Sequence, residues 1–264
     1  MSAGPGPSGT GAATIRPVPR RVLLPLPDRD FDVTEVAVPW HHLAARGHEV
    51  VFATESGTGA PAADQRLLDG VLFGQLGAAA EPRALYARLL DDPAYRHPVA
   101  WDSVDPGSFD GLLLAGGHAP GMRQYLGSVP LQQTVGEFWS LGRPVGAICH
   151  GVLVLARTVD PHTGTSVLAD RRTTCLTKPM ERSAYLATAW KLGRYYRTYP
   201  DYVEDEVVAA LGDPGQFARG PRGLRRDDAA HDDRGFTLLD GNYLSARWPG
   251  DAYTFARRFT ELLD

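Results

Sequence analysis

The stretch Pro144-Val-Gly-Ala-Ile-Cys-His-Gly-Val-Leu-Val-Leu-Ala-Arg157 places one nucleophilic side chain between two apolar runs. Pro144–Ile148 has the length and composition of a buried strand. Gly151–Arg157 follows at once as an apolar helix. The junction, Ala147-Ile-Cys149-His-Gly151, has the layout of a nucleophile elbow: small residue, any, nucleophile, any, glycine. A turn this tight lifts one side chain above the sheet edge and needs small neighbours two positions away on each side. The cysteine then faces the N-terminal end of a helix, whose dipole favours the thiolate. The ordinary alternative is a cysteine packed at a strand end.

One strand–helix unit earlier stands Asp110-Gly-Leu-Leu-Leu-Ala-Gly-Gly-His-Ala-Pro-Gly121. Asp110–Ala115 reads as a second buried strand, ending in Gly116-Gly117. A glycine pair there can aim backbone amides at a neighbouring strand end, so the Gly117 and His150 amides are candidates for an oxyanion hole. Neither GxGxxG nor GxxxxGK[ST] is present, which argues against a phosphate loop.

Working outward, Arg21-Val-Leu-Leu-Pro-Leu reads as a buried strand, and Val33–Arg46 carries helical apolar spacing closed by Gly47. His48–Ala53 reads as a strand, 82–96 as a helix, and His97–Phe109 as a loop. Leu131–Leu141 reads as a helix. Phe236–Leu239 and Tyr243–Ala246 are strands around the turn Asp240-Gly-Asn242, and Asp251–Leu263 is a closing helix. Strands alternating with amphipathic helices predict an α/β protein with a mainly parallel sheet. Met180–Leu211 reads as two helices broken at Tyr199-Pro200. Gln216–Arg234, with its nearly balanced arginines and aspartates, reads as a solvated loop. Residues 1–18, rich in Gly and Pro and without an apolar segment, read as a disordered tail before a single domain over 19–264.

The 264 residues are 43% hydrophobic and 22% charged, enough for a full core. The formal charge of −4 offers nothing to nucleic acid or an anionic membrane, and no apolar run is long enough to span a bilayer. Two cysteines, Cys149 and Cys175, make no disulfide framework, so a reducing, cytoplasmic setting is expected. Cys175, in an expected strand, reads as core.

The glycine pair, the AICHG elbow and an acid early in the first helix together resemble the ThiJ/PfpI superfamily, over most of Arg21–Asp264. That resemblance implies a fold related to class I glutamine amidotransferases: a flavodoxin-like three-layer sandwich, here with a small helical cap near 180–234. The early acid is Glu35. By itself it reads as an exposed first-turn residue; the resemblance implies that it approaches Cys149 and hydrogen-bonds it. Within the superfamily the chain looks most like the branch of glyoxalase III-type enzymes and heat-shock chaperones. In that branch a histidine follows the cysteine and an acid about thirty residues later orients it. Glu181 is the candidate here, with Asp170 or an acid from another chain as alternatives. Glu204–Glu206, in a segment that also resembles the branch, reads as a solvated helix start. A homodimer is usual for such proteins.

Two departures from the relatives matter. Glutamine amidotransferases proper carry a late His-x-Glu; here His231 precedes Asp232 and Asp233 in a charged loop, so glutaminase activity is not expected. The branch's final glutamine–asparagine–proline turn is replaced by Ser245-Ala-Arg-Trp-Pro-Gly-Asp251, in which Arg247 and Trp248 would reshape the pocket.

The chemistry implied is cofactor-free attack by Cys149 on the carbon of a small electrophilic carbonyl substrate. His150 would move the proton and Glu181 would fix its tautomer. Gly116, His118 and Trp248 are candidate substrate contacts. His41 and His42, being adjacent, face different sides of a helix and make a poor metal pair, and no metal or cofactor is required. Tyr195, Tyr196, Tyr199 and Tyr202 fit cap packing or a dimer contact better than a lid over an aromatic substrate. The expected function is a glyoxalase III-like hydrolase or hydro-lyase. The alternatives are a tailoring enzyme of secondary metabolism on the same scaffold, and a stress chaperone or redox sensor using Cys149.

Overall fold

The computed structural model describes residues 18–72, 74–75, 77–197, 199–223 and 225–264. All of the stretch expected as a tail, apart from Val18, lies outside them. The strands are β1 (Arg21–Pro25), β2 (Arg29–Phe31), β3 (Glu49–Thr54), β4 (Ala62–Ala63), β5 (Val99–Ala100), β6 (Gly111–Leu114), β7 (Val145–Ile148), β8 (Thr237–Asp240) and β9 (Tyr243–Ala246). The helices are α1 (Val33–Ala45), α2 (Gln65–Asp69), α3 (Ala80–Leu89), α4 (Pro93–Arg96), α5 (Met122–Leu126), α6 (Val129–Ser140), α7 (Val152–Arg157), α8 (Lys178–Leu192), α9 (Val203–Ala209) and α10 (Ala252–Leu263).

Seven strands form one sheet in the order β5-β3-β1-β6-β7-β9-β8, parallel except for the β8–β9 hairpin at the edge. Without the two edge strands this is the flavodoxin order 2-1-3-4-5. The first crossovers run one way along the sheet and the later ones run the other. Right-handed connections therefore put α1 and α3 on one face and α6 and α7 on the opposite face. α10 returns to pack on α1, completing three layers. β1, β6 and β7 are covered on both sides, which explains why Val22, Leu24, Leu112–Leu114 and Val145–Ile148 are apolar or small without alternation. Doubly wound sheets bind ligands outside the carboxyl ends of their strands, beside the point where the order reverses. Here that point separates β1 from β6, and it leads directly to Glu35 and to Gly116-Gly117.

Several local expectations change. The single helix over 82–96 is two, because Asp92 caps the Ala94 amide at 2.8 Å and Pro93 starts a new helix at its first position. The long helical segment ends at Gly193, in a left-handed conformation (φ 56°), rather than at Tyr199-Pro200. Cys175 is buried in the core as expected, but it belongs to no strand; Thr173 makes only an isolated bridge to Phe217.

The cap also differs from a solvated insert. Glu204 is 2% exposed, accepting the Lys178 amide at 2.8 Å and pairing with Arg219. Glu206 accepts from Nε and Nη2 of Arg157 in α7, one bidentate guanidinium edge, at 2.5 and 2.8 Å. In the 216–234 loop, Asp227 is buried and accepts the Thr254 amide of α10 at 2.7 Å. The loop is otherwise largely exposed, as its balanced charge predicts; Arg219, Asp227 and Asp232 are the members that pair with the body of the fold.

Candidate active site

β7 delivers Cys149 in a left-handed conformation, φ 58°. For a residue with a Cβ this costs roughly 1–2 kcal/mol, and strain of this kind is a mark of nucleophile elbows. The small residues around it are required by contact. A Cβ on Gly151 would lie 2.2 Å from the Leu114 carbonyl oxygen of β6. A Cβ on Gly116 would meet the His150 amide nitrogen at 2.7 Å and Glu35 Oε2 at 2.9 Å.

Glu35 sits in the first turn of α1, fully buried. Asp32 caps that helix through the Thr34 and Glu35 amides at 2.8 and 3.2 Å. Glu35 Oε2 accepts the Gly116 amide at 2.8 Å, and the carboxyl stands beside the Cys149 side chain with Oε1 buried and without a hydrogen-bond partner. Burial, then the neighbouring Asp32, pushes Glu35 well above the usual carboxylate range. Both effects favour its protonated form, the form able to donate to sulfur. Burial raises Asp32 as well, to about 6.

Cys149 Sγ lies 3.5 Å from His150 Nδ1 and is 1% exposed. Burial and then Glu35 push the thiol well above its ordinary value, against the hydrogen bond from the His150 amide. The helix start was expected to favour the anion; dehydration dominates instead, and the resting group is a thiol. His150, also buried, is pushed well below its usual value by dehydration and then by His118. His118 itself is lowered to about 4 by burial. Its ring meets His150 edge-on at 4.7 Å between centroids and Tyr196 at 5.4 Å. Burial thus favours the uncharged form of each of these groups, which suits a dry site.

Glu181 does not join this group. Its Oε2 accepts the Val203 amide at 3.0 Å, and Oε1 lies 3.6 Å from an Arg197 nitrogen. Asp170 is exposed. Neither acid makes a hydrogen bond with His150, whose neighbours are Cys149 and the His118 ring. Burial, opposed by the Val203 amide, lifts Glu181 to about 7. The folded protein therefore keeps a proton that the unfolded chain releases near pH 4.5, so this group's contribution to stability falls as pH rises from about 4.5 through 7. Glu181→Gln should flatten that part of the melting-temperature profile, by up to about 3 kcal/mol between its ends, while Cys149 alkylates at the wild-type rate. A slowed alkylation with an unchanged profile would return Glu181 to the catalytic group.

An apolar cavity of about 350 Å³ lies between this cluster and the cap. One face of α8 (Met180, Ser183, Ala184, Ala187, Thr188) forms its roof, and Leu67, Val71 and Leu176 line its sides. His118, Asp32 and Tyr196 close it towards the elbow, and Trp248 and Pro249 towards the last turn. Trp248 therefore reaches the pocket, with the exposed Arg226 stacked on its ring at 4.8 Å. Arg247 does not line it; its guanidinium turns to Asp251 in a buried bidentate pair at 2.8 and 2.9 Å. A larger cleft against α6 and the 159–162 segment contains none of these residues. Sequence reading assigned no role to Asp32 or Arg226 and gave Tyr196 to packing. The spacing Asp32-x-x-Glu35 is a capping signal that marks Asp32; no comparable signal marks Tyr196 or Arg226.

A family profile described as "ThiJ/PfpI family-like" matches residues 26–210, from the end of β1 through the elbow and into the cap. The chain belongs to this ThiJ/PfpI-like family. Among similar curated proteins, a deglycase of Pyrococcus abyssi is 28% identical over 243 residues, covering 92% of this chain and 99% of its own. Deglycase PfpI of Pyrococcus furiosus is 25% identical over 243 residues, covering 91% and 98%. Glyoxalase III from Candida albicans superposes with a TM-score of 0.60 at 19% identity, over 93% of this chain and 98% of that one. Drosophila melanogaster DJ-1beta does so with 0.53 at 17%, over 93% and 91%. The ThiJ/PfpI-like fold is thus shared along nearly the whole chain.

Proposed function

We propose that this ThiJ/PfpI-like protein converts 2-oxoaldehydes to 2-hydroxy acids using Cys149, without a redox cofactor. The observation that carries the reading is Cys149 itself, held at φ 58° between the acid Glu35 and His150 Nδ1. Because the resting sulfur is a thiol, its proton passes to Nδ1 as sulfur attacks the aldehyde carbon. A C–S bond forms, the carbonyl electron pair moves to oxygen, and protonation there gives a hemithioacetal. The Gly117 and His150 amides are the proposed donors to that oxygen. His150 then takes the hydrogen from the former aldehyde carbon, and return of a proton to the adjacent carbon leaves a thioester. Water cleaves the thioester, restoring the thiol and releasing the hydroxy acid, so one water is consumed in all. Support comes also from the deglycase and glyoxalase III names of its relatives. The test is turnover of methylglyoxal by the purified protein with the product identified by mass. Lactate supports the reading, and no lactate from folded protein discards it.

The pocket favours a particular variant of this chemistry. An apolar roof with Trp248 at one end accommodates a substituent larger than methyl, consistent with a specialised substrate. Phenylglyoxal should therefore be processed with a higher kcat/KM than methylglyoxal. Ala187→Trp, which fills the roof, should cut the phenylglyoxal value about 10-fold and methylglyoxal less. Equal losses for both substrates would show that the cavity does not hold the substituent. The redox-sensor alternative is disfavoured by the raised thiol, because oxidants act on thiolates.

A further inference from the structure

The side chains at the elbow include a close group of metal-ligating types, with Cys149 and His150 buried and His118 half-buried. The donor atoms of His118, Cys149 and His150 all lie within 4.8 Å of one another, a trio that stands alone among the described residues. Zinc bound to thiolate and imidazole has Zn–S near 2.3 Å and Zn–N near 2.0–2.1 Å; tetrahedral angles then place sulfur and nitrogen about 3.6 Å apart. The Cys149 Sγ to His150 Nδ1 separation is 3.5 Å, already at that spacing. His118, no more than 4.8 Å from the other two donors, has to close by at most about 1.5 Å to complete a face of the tetrahedron.

We propose that His118, Cys149 and His150 form a binding site for a thiophilic divalent cation, zinc being the best match, and that its occupation blocks the nucleophile. One sulfur with two imidazoles is a borderline-soft donor set, which zinc takes in preference to magnesium or calcium. Three protein donors leave zinc one exchangeable position. Binding forms a Zn–S bond and releases the thiol proton to solvent; the imidazoles contribute lone pairs, and nothing is oxidised or reduced. The product carries one net positive charge. Glu35 and Asp32 are the acids whose field reaches the sulfur.

The test is zinc titration of the full chain in competition with a chromophoric chelator, repeated with cobalt to read near-ultraviolet sulfur-to-metal charge transfer. Wild type should bind one zinc per chain and show that band with cobalt. Cys149→Ser should lose the band, and both Cys149→Ser and His118→Asn should weaken zinc by roughly 100-fold or more. His162→Asn, at an exposed histidine elsewhere, should leave both readouts unchanged. Zinc affinity equal in wild type and Cys149→Ser, or unchanged in His118→Asn, overturns the proposal. Should a variant fail to fold, X-ray absorption of zinc-loaded wild type decides. One sulfur near 2.3 Å with two imidazole nitrogens near 2.0 Å supports the site, and an all-oxygen and nitrogen shell refutes it. Because no readout involves turnover, failure of the carbonyl reaction and failure of the metal site remain distinguishable.

Discussion

Cys149→Ala should lower 2-oxoaldehyde turnover by about 10³-fold or more, since the only atom able to form the covalent intermediate is lost while the pocket remains. The same substitution carries a thermodynamic signature. Alanine retains a Cβ and with it the penalty of φ 58° at this position. Cys149→Gly removes that penalty, so the glycine variant should be more stable than the alanine variant by about 1 kcal/mol, although glycine at ordinary positions is the less stable of the two. Melting both inactive variants side by side checks this. An alanine variant that melts above the glycine variant would mean that the elbow is relaxed and that its geometry contributes no activation. Residual turnover near the wild-type rate in either variant would remove Cys149 from the chemistry.

The largest effect on stability is expected at the other end of the turn. In Gly151→Ala the new methyl would lie 2.2 Å from the Leu114 carbonyl oxygen, 2.7 Å from its carbon and 2.8 Å from the Ala115 carbonyl oxygen. All three are backbone atoms of the central sheet or its exit, and none can rotate away as a side chain would. Relief requires β6 and β7 to separate, so the loss should be about 3 kcal/mol or more. Gly164→Ala is the fitting comparison, with φ 69° and open space around the added carbon. It should cost only the backbone penalty, about 1 kcal/mol. Chemical denaturation of both variants separates steric conflict from conformational strain. Similar losses would show that the elbow tolerates a wider turn than its geometry implies.

The elbow and the parallel sheet were legible because each depends on neighbours in sequence. A four-residue apolar run followed directly by an apolar helix leaves few alternatives, and the glycines at 116 and 151 mark close backbone approach. Glu35 was readable only through resemblance, since an acid in a first turn usually faces water; what makes it different is the packing of Gly116 against it, 81 residues away. Glu181 shows the opposite failure. Its spacing from the elbow suggested a partner for His150, but side-chain direction is set by the helix that carries it, and α8 aims Glu181 at α9. The protonation states were equally out of reach, because dehydration depends on what covers the site, and the cap that covers it lies 30 to 100 residues further along the chain.

The bond from Glu181 to the Val203 amide and the bond from Glu204 to the Lys178 amide run in opposite directions between the same two helices. Each helix supplies the acceptor that the other's first turn lacks. Neither start can fray without removing an acceptor's backbone partner on its neighbour, so α8 and α9 should open together, read in hydrogen exchange as amides with a shared opening free energy. A roof joined in this way admits ligands by lifting as a whole or through gaps at its margin, and not by unwinding one helix at a time.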